Sequence, residues 1–224
     1  MSRYIRQEVL KEIGKEGQLK IQNAWVVVVG VGALGTYVSE MLVRAGFGKV
    51  LLIDADKVDK TNLHRQTLFD EKDIGKFKVD AAKKKLKKIN SEVEIVSENK
   101  FLEKKNGNLI EDYDLVMDCT DKMSSRHIIN DVSEKFKKPW IYAAASGTKG
   151  NVLFVNDYYR FRNIFMSGET FDSCEEIGVL NFLPSIIAGI SVGLATKFII
   201  SGKVSAGLLR FDAWNMSCDE IPLN

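Results

Sequence analysis

Cysteine is scarce in this chain of 224 residues, which limits the kinds of site that it can build. The three cysteines are odd in number and widely spaced: Cys119, Cys174 and Cys218. We therefore expect reduced thiols and a cytoplasmic protein rather than a disulfide framework. No CxxC pair occurs, and the two histidines, His64 and His127, lack metal-ligand spacing, so we expect no zinc site.

The sequence also lacks an excess of charge and a long apolar run. The formal net charge is only +2, which gives no reason to expect binding to nucleic acid. The amino-terminal stretch MSRYIRQEVL has no apolar core of a signal peptide. The most apolar segment, residues 186–200, is shorter than a membrane span and contains Lys197, so we expect a buried helix and no membrane partner.

Strands alternate with helices over much of the chain. Apolar runs predict strands at residues 25–30, 49–56, 93–97, 114–120 and 139–146. Helical periodicity predicts a helix that ends near Gly46, and further helices at residues 74–90 and about 123–137. This alternation predicts an α/β fold, with a Rossmann-like, mostly parallel sheet and flanking helices.

The pattern changes after residue 150. Strands are predicted at residues 151–156 and 207–214, and a helix at residues 184–201 lies between them. These strands predict a partly antiparallel C-terminal section. The polar loop at residues 157–178 is longer than most loops, which indicates a functional or mobile segment. Because no linker or repeat divides the sequence, we expect a single domain over residues 1–224.

A glycine-rich turn joins the first predicted strand to the helix after it. Gly30, Gly32 and Gly35 form the pattern GxGxxG, which lets the backbone turn tightly and approach a phosphate at the start of a helix. Asp54 follows at the end of the second strand, where an acid can accept hydrogen bonds from ribose hydroxyls. The same fingerprint is typical of NAD-dependent dehydrogenases, which therefore remain an alternative.

The polar loop after Asp54 favours a triphosphate over NAD. An arginine beside a phosphate-binding turn, here Arg65, indicates that additional phosphate charge is neutralised. Lys78 could add a second charge, although a place among the surface lysines is the alternative. Asp118 and Asp121 follow a buried strand and could hold Mg²⁺, with a helix N-cap as their alternative role.

Five motifs together resemble the ThiF/MoeB/HesA family, which is related to ubiquitin-activating enzymes. They are RYIRQ at 3–7, GVGALG at 30–35, DADKVDKTNLHRQ at 54–66, IGKFK at 74–78 and DCTDK at 118–122. The resemblance covers nearly the whole chain. It implies a homodimer that uses ATP to adenylate a carboxylate and releases pyrophosphate. The usual acceptor would be the C-terminal glycine of a ubiquitin-like sulfur carrier.

The resemblance also implies roles for individual residues. Arg6 would reach the phosphate site of the neighbouring subunit, Arg65 and Lys78 would contact phosphates, and Asp121 would hold magnesium. The other nucleotide contacts would come from the glycine-rich turn, the acids and the loop after them: Gly30, Gly32, Ala33, Gly35, Asp54, Asp56, Thr61, Asn62, Leu63, His64, Gln66 and Lys122. Lys122 stands where the family usually has asparagine.

Two departures from the family pattern bear on the acceptor. The two CxxC pairs that often bind zinc in the family are missing, which favours a compact, zinc-free variant. Such a variant could act on a small-molecule carboxylate, for example guanylylpyridinol in the assembly of the iron-guanylylpyridinol cofactor.

Cys174 aligns with the cysteine that some members use to accept an activated acyl or sulfur group. Its acidic neighbours disfavour a thiolate. A non-catalytic scaffold subunit is a further alternative, although the joint presence of Arg6, Arg65, Lys78 and Asp121 favours an enzyme.

Overall fold

The computed structural model contains one eight-stranded mixed sheet within its described residues, which are 2–156, 159–165, 177–204 and 207–222. The strands are β1 (Trp25–Val29), β2 (Lys49–Ile53), β3 (Glu94–Glu98), β4 (Leu115–Asp118), β5 (Trp140–Ser146), β6 (Lys149–Val155), β7 (Leu208–Asp212) and β8 (Ser217–Ile221). Their order across the sheet is β3-β2-β1-β4-β5-β6-β7-β8. The first five strands pair in parallel, and β5 to β8 pair antiparallel. The predicted fold class is confirmed.

Helices cover the sheet on both faces. They are α1 (Ile5–Glu8), α2 (Gly14–Asn23), α3 (Ala33–Ala45), α4 (Lys78–Ile89), α5 (Met123–Phe136), α6 (Tyr159–Ile164) and α7 (Leu183–Ser201). Short 3-10 helices occur at Lys60–Asn62, Glu71–Asp73 and Lys104–Ile110.

The valine run of β1 shows why these strands form the centre of the sheet. Alternate side chains of a strand point to opposite faces, and β-branched residues suit this geometry. Val26 and Val28 enter the core beneath α3, α4 and α7, whereas Val27 and Val29 enter the core beneath α5 and α6. All four are buried, as expected for a parallel strand that is covered on both faces.

Several elements differ from their predicted bounds. The helix expected from residue 74 begins at Lys78, because Asp73 and Lys76 are used in the turn before it. The predicted loop at residues 157–178 contains α6, whose Phe161 packs on Trp140. The helices α1 and α2 and the edge strand β8 were not predicted, since their sequences lack a strong apolar period.

The helix α7 is longer than the apolar segment seen in the sequence. Its 19 residues are long and apolar enough to cross a bilayer by length and composition, and 39% of its most apolar window is buried. Ile187, Ala188 and Val192 pack into the core beside α3. This packing explains the apolar sequence of the helix, and the absence of a membrane partner stays a prediction.

Candidate active site

A cavity of about 600 Å³ opens at the carboxyl ends of β1, β2 and β4. Ligands bind at this edge in open α/β sheets. Four of the described helices, α3, α4, α5 and α7, start beside the cavity, where it is lined by Ala33, Lys78, Lys122 and Pro184. Free N–H groups and the positive ends of helix dipoles make such a place favourable for an anion.

The glycine-rich turn forms one wall of the cavity. Gly30 has a φ of +88°, and a Cβ there would lie 2.7 Å from the carbonyl oxygen of Cys119. A side chain at Gly35 would collide with the carbonyl of Gly30. Gly30, Gly32 and Ala33 line the cavity, whereas Gly35 does not and serves close packing behind the turn.

Asp54 is buried next to this turn, and both of its carboxylate oxygens are oriented by backbone donors. The N–H of Val31 donates to Oδ2 at 2.6 Å, and the N–H of Asp56 donates to Oδ1 at 2.8 Å. Burial raises the pKa of Asp54, although Lys78 and the two N–H donors oppose that rise. The carboxylate is thus held at the cavity wall with lone pairs free to accept hydroxyl donors.

The loop after Asp56 is ordered by its own side chains. Asp59 accepts hydrogen bonds from the N–H and the hydroxyl of Thr61, at 2.8 and 2.6 Å. The side-chain oxygen of Asn62 accepts from the N–H of Asp59 at 3.2 Å, which completes a capping box. The Thr61 hydroxyl therefore works within the loop and does not line the cavity.

The side chain of Arg65 extends from this loop and lines the cavity. It donates to the carbonyl of Thr61 at 3.0 Å and lies 2.8 Å from the His64 ring. Asn62 and Gln66 also line the cavity, and the side-chain oxygen of the buried Gln66 has no hydrogen-bond partner among the described residues. Leu63 and His64 lie outside the lining, so the loop presents Asn62, Arg65 and Gln66 to the cavity.

Lys78 is buried at the first position of α4, and its surface alternative is wrong. Its Nζ lies 2.9 Å from Asp56 Oδ2. The lysine side chain is only 10% exposed, whereas that of Asp56 is 54% exposed. Lys78 therefore carries a positive charge into the cavity, and Asp56 holds it from the solvent side.

The two acids after β4 have different surroundings. Asp118 is buried, where it accepts from the N–H and hydroxyl of Thr120 at 2.9 and 2.6 Å and pairs with Arg126 at 3.3 Å. Asp121 is exposed and lines the cavity beside Lys122. The N-cap alternative for the acids is wrong, because Lys122 occupies the N-cap of α5 without a side-chain hydrogen bond.

Two further predicted site residues, Arg6 and Cys174, lie away from the cavity or outside the described residues. Arg6 is exposed on α1 and does not line the cavity. Cys174 falls in the part of the chain that is not described. Within the described ranges, no group of three His, Cys, Asp or Glu side chains could hold a metal ion, and the absence of zinc stays a prediction.

A second half of the cavity was not predicted from the sequence. It is formed where β5 and β6 meet the start of α7, and it is lined by Tyr142, Ala144, Ala145, Ser146, Lys149, Asn151, Val179 and Pro184. Phe101, three residues after β3, also lines the cavity although its side chain is largely exposed. The available signal was that β3 and β5 end at the same sheet edge as β1 and β2.

Comparison with known sequences identifies the family. The ThiF family model matches residues 4–224. The chain belongs to the ThiF family. It is 36% identical over 231 residues to the adenylyltransferase and sulfurtransferase MOCS3 of Culex quinquefasciatus, covering 100% of this chain and 53% of that protein. It is 33% identical to the sulfur carrier protein adenylyltransferase of Thermus thermophilus, covering 97% and 85% respectively.

The chain spans about half the length of the MOCS3 relatives that it matches. Among solved structures, Escherichia coli MccB with ATP has a TM-score of 0.84 and 23% identity. That similarity covers 98% of this chain and 71% of MccB. At this identity the likeness shows a shared fold, including the antiparallel section after β5.

Proposed function

We propose that this ThiF-family chain uses ATP to adenylate a carboxylate, with pyrophosphate as the leaving group. The observation that carries the proposal is a single cavity lined by the glycine-rich turn, by Asp54 and by the cations Arg65 and Lys78. The name of the Thermus thermophilus relative, which this chain matches over most of both lengths, supports the same reaction class.

ATP would lie along the edge of the sheet. The ribose hydroxyls would donate to Asp54, and the adenine would stack on the exposed ring of Phe101. The phosphates would cross the glycine-rich turn at the start of α3, and Arg65 and Lys78 would neutralise the β- and γ-phosphates. NAD has no γ-phosphate, so these two cations favour a triphosphate.

Magnesium fits the exposed carboxylate of Asp121, because the other exposed carboxylate of the cavity lining, Asp56, is paired with Lys78. Mg²⁺ is usually held by one or two protein carboxylates together with phosphate oxygens and water. Asp121 would supply the protein ligand, and bound Mg²⁺ would neutralise part of the charge on the triphosphate. Asp118 does not fit this role, because its oxygens are used by Thr120 and Arg126.

The acceptor carboxylate would lie in the half of the cavity over β5 and β6. Ala144 and Ala145 have small side chains that would leave room for the acceptor, and the Lys149 ammonium would attract its carboxylate. One carboxylate oxygen bonds to the α-phosphorus, while the bond from that phosphorus to the bridging oxygen breaks. Pyrophosphate leaves with the electron pair, and catalysis comes from positioning and charge neutralisation.

We favour the C-terminal carboxylate of a ubiquitin-like sulfur carrier as the acceptor. The name of the Thermus thermophilus relative describes adenylation of a sulfur carrier protein. The name of the Culex quinquefasciatus relative combines an adenylyltransferase with a sulfurtransferase. The small side chains of Ala144 and Ala145 would also leave room for an extended chain end. A small-molecule carboxylate such as guanylylpyridinol is the second candidate, and the experiment below separates the two.

We further propose a symmetric homodimer in which Arg6 reaches the phosphate site of the neighbouring subunit. Arg6 does not line the cavity of its own chain. It lies among exposed apolar side chains on and near α1 and α2, namely Val9, Leu10 and Leu19, which a dimer would cover. Mixed dimers of Arg6→Ala and Asp121→Ala subunits should regain one working site, whereas independent monomers would regain none.

The deciding experiment is isotope exchange between pyrophosphate and ATP with a panel of carboxylates. We expect exchange that depends on the acceptor and on magnesium, and that is strongest with a carrier ending in glycine. Exchange with guanylylpyridinol alone would replace the carrier by a small molecule. Tight calorimetric binding of NAD, with no ATP binding and no exchange, would overturn the adenylation proposal.

A further inference from the structure

A buried arginine at the floor of the cavity takes no part in the steps above. Arg126 lies on the first turns of α5, is only 5% exposed, and lines the cavity. One guanidinium nitrogen donates to the carbonyl of Thr120 at 2.9 Å, and Nε lies 3.3 Å from Asp118 Oδ2. The guanidinium carbon lies 5.0 Å from the centre of the Tyr142 ring.

These contacts join three separate parts of the fold. Asp118 ends β4, Thr120 belongs to the turn that leads to Asp121, and Tyr142 belongs to β5. The other oxygen of Asp118, Oδ1, accepts from the N–H and the hydroxyl of Thr120. The Asp118 carboxylate and the Arg126 guanidinium therefore both hold Thr120, one at its N–H and hydroxyl and the other at its carbonyl. Arg126 is thus the side chain that fixes the carbonyl immediately before Asp121.

The arrangement is poorly explained by stability alone. A buried ion pair must overcome the cost of removing both charges from water, and apolar side chains are often as stable in its place. Here Nε and Asp118 Oδ2 do not form a well-aligned hydrogen bond, and both are buried. The ion pair instead fixes the turn at Thr120 beside the cavity, which explains it more directly.

We propose that Arg126 is a positioning residue that aims the Asp121 carboxylate, and with it the start of α5, at the triphosphate and its magnesium. This inference rests on the proposed function. An arginine suits the task because its planar fork can hold a carboxylate and a carbonyl at once while it stacks on an aromatic ring. A lysine in its place keeps the charge but cannot make all three contacts.

The test measures how strongly magnesium and ATP promote each other's binding. Calorimetric titration with a non-hydrolysable ATP analogue, with and without Mg²⁺, gives this coupling without any turnover. We expect Mg²⁺ to tighten binding at least tenfold in the unmodified protein and less than threefold in Arg126→Lys. Asp121→Asn should lose the coupling to the same extent, and the double variant should lose no more than Asp121→Asn does.

Arg162→Lys is a matched control, since Arg162 also pairs with an aspartate, Asp131, but its side chain is about half exposed on α6 and does not line the cavity. It should keep the full coupling. If Arg126→Lys does not fold, Tyr142→Leu removes the ring on which Arg126 stacks, while Arg126 keeps its contacts to Asp118 and Thr120, and should reduce the coupling in part. Full coupling in a folded Arg126→Lys, or losses that multiply in the double variant, would overturn the inference. Absence of analogue binding by the unmodified protein would instead overturn the proposed function.

Discussion

The ammonium of Lys78 lies 2.9 Å from the carboxylate of Asp56, with the lysine buried and the aspartate largely exposed. An ion pair with one solvated partner is worth little to stability. On the proposed function, a phosphate of ATP would replace Asp56 as the partner of Lys78 at small cost. The pair holds the Lys78 ammonium at the cavity wall.

This relationship gives the first prediction. Lys78→Met should lower pyrophosphate exchange by about a hundredfold or more, because a charge aimed at the leaving group is lost. Asp56→Asn should change exchange by less than about tenfold, since ATP itself replaces the carboxylate. Lys76→Met, which removes a lysine paired with Asp73 outside the cavity lining, is the control and should leave exchange unchanged. Equal losses in Lys78→Met and Asp56→Asn would contradict the prediction that ATP replaces Asp56 as the partner of Lys78.

The second prediction concerns the exposed ring of Phe101. Stacking of a base on an aromatic side chain contributes about 1–2 kcal/mol, so Phe101→Ala should weaken ATP about 5- to 30-fold. Trp214→Ala is the control, because Trp214 is also exposed but does not line the cavity. Calorimetry with ATP measures both variants. An unchanged affinity in Phe101→Ala would place the adenine elsewhere.

The third prediction separates the acceptor from the nucleotide. Lys149 lies 4.0 Å from Asp212, at the limit of an ion pair, and its side chain is largely exposed. Lys149→Met should raise the KM for the acceptor about tenfold or more and keep the ATP affinity within about threefold, because rim charges act mainly on the ligand that they face. Lys105→Met, in the 3-10 helix Lys104–Ile110 and outside the cavity lining, should change neither value because the Lys105 side chain is 81% exposed. A loss of ATP affinity in Lys149→Met would assign the lysine to the nucleotide.

The fourth prediction concerns pH and the turn before α4. Burial alone would raise the pKa of Asp73, but hydrogen bonds from Lys85, from the Asp70 N–H and from Lys76 lower it to about 2. The ionised group therefore stabilises the fold fully above the unfolded pKa of about 4, and this contribution is lost as the pH falls towards 2.

Asp73→Asn should accordingly lower the free energy of unfolding by about 1–2 kcal/mol at pH 7 and hardly at all near pH 2. Urea unfolding across this pH range measures the difference. Asp112→Asn, on an exposed turn, should have no such pH dependence. A deficit of equal size at both ends of the range would mean that packing, rather than charge, explains the effect.

The fifth prediction concerns Cys174, which lies outside the described residues. Its acidic neighbours Asp172, Glu175 and Glu176 disfavour a thiolate. We expect Cys174→Ser to keep acceptor-dependent pyrophosphate release within a few-fold of the parent. A loss of a hundredfold or more in a folded variant would instead indicate a covalent step.

Local patterns were sufficient to predict the nucleotide half of the cavity. The valine run before Gly30 and the acid at Asp54 each mark the end of a predicted strand, and parallel strands place their carboxyl ends together. Local pattern left Lys78 open between the cavity and the surface, because many surface lysines surround it in the sequence. Lys78 is buried because it lies on the same helix face as Ala82 and Leu86 and packs against the turn at Asp56.

The second half of the cavity depends on distant contacts. Lys149 and Tyr142 become neighbours of the nucleotide half only because β5 pairs in parallel with β4 and antiparallel with β6. Arg126 looked like an ordinary helix residue, and its partners Asp118 and Tyr142 are 8 and 16 residues away in the sequence. Strand pairing depends on contacts between distant parts of the chain, so local sequence patterns do not reveal these neighbours.

The β5–β6 hairpin also has a consequence for engineering. Ser146 pairs with Lys149 around a turn in which Gly147 has a φ of +58°. One short, continuous segment therefore carries most of the lining of the proposed acceptor half of the cavity. A chimera that exchanges residues 143–151 with the matching hairpin of another family member should carry its acceptor preference with it. The graft must begin after Tyr142, whose ring contacts Arg126, if the recipient is to keep its own nucleotide chemistry.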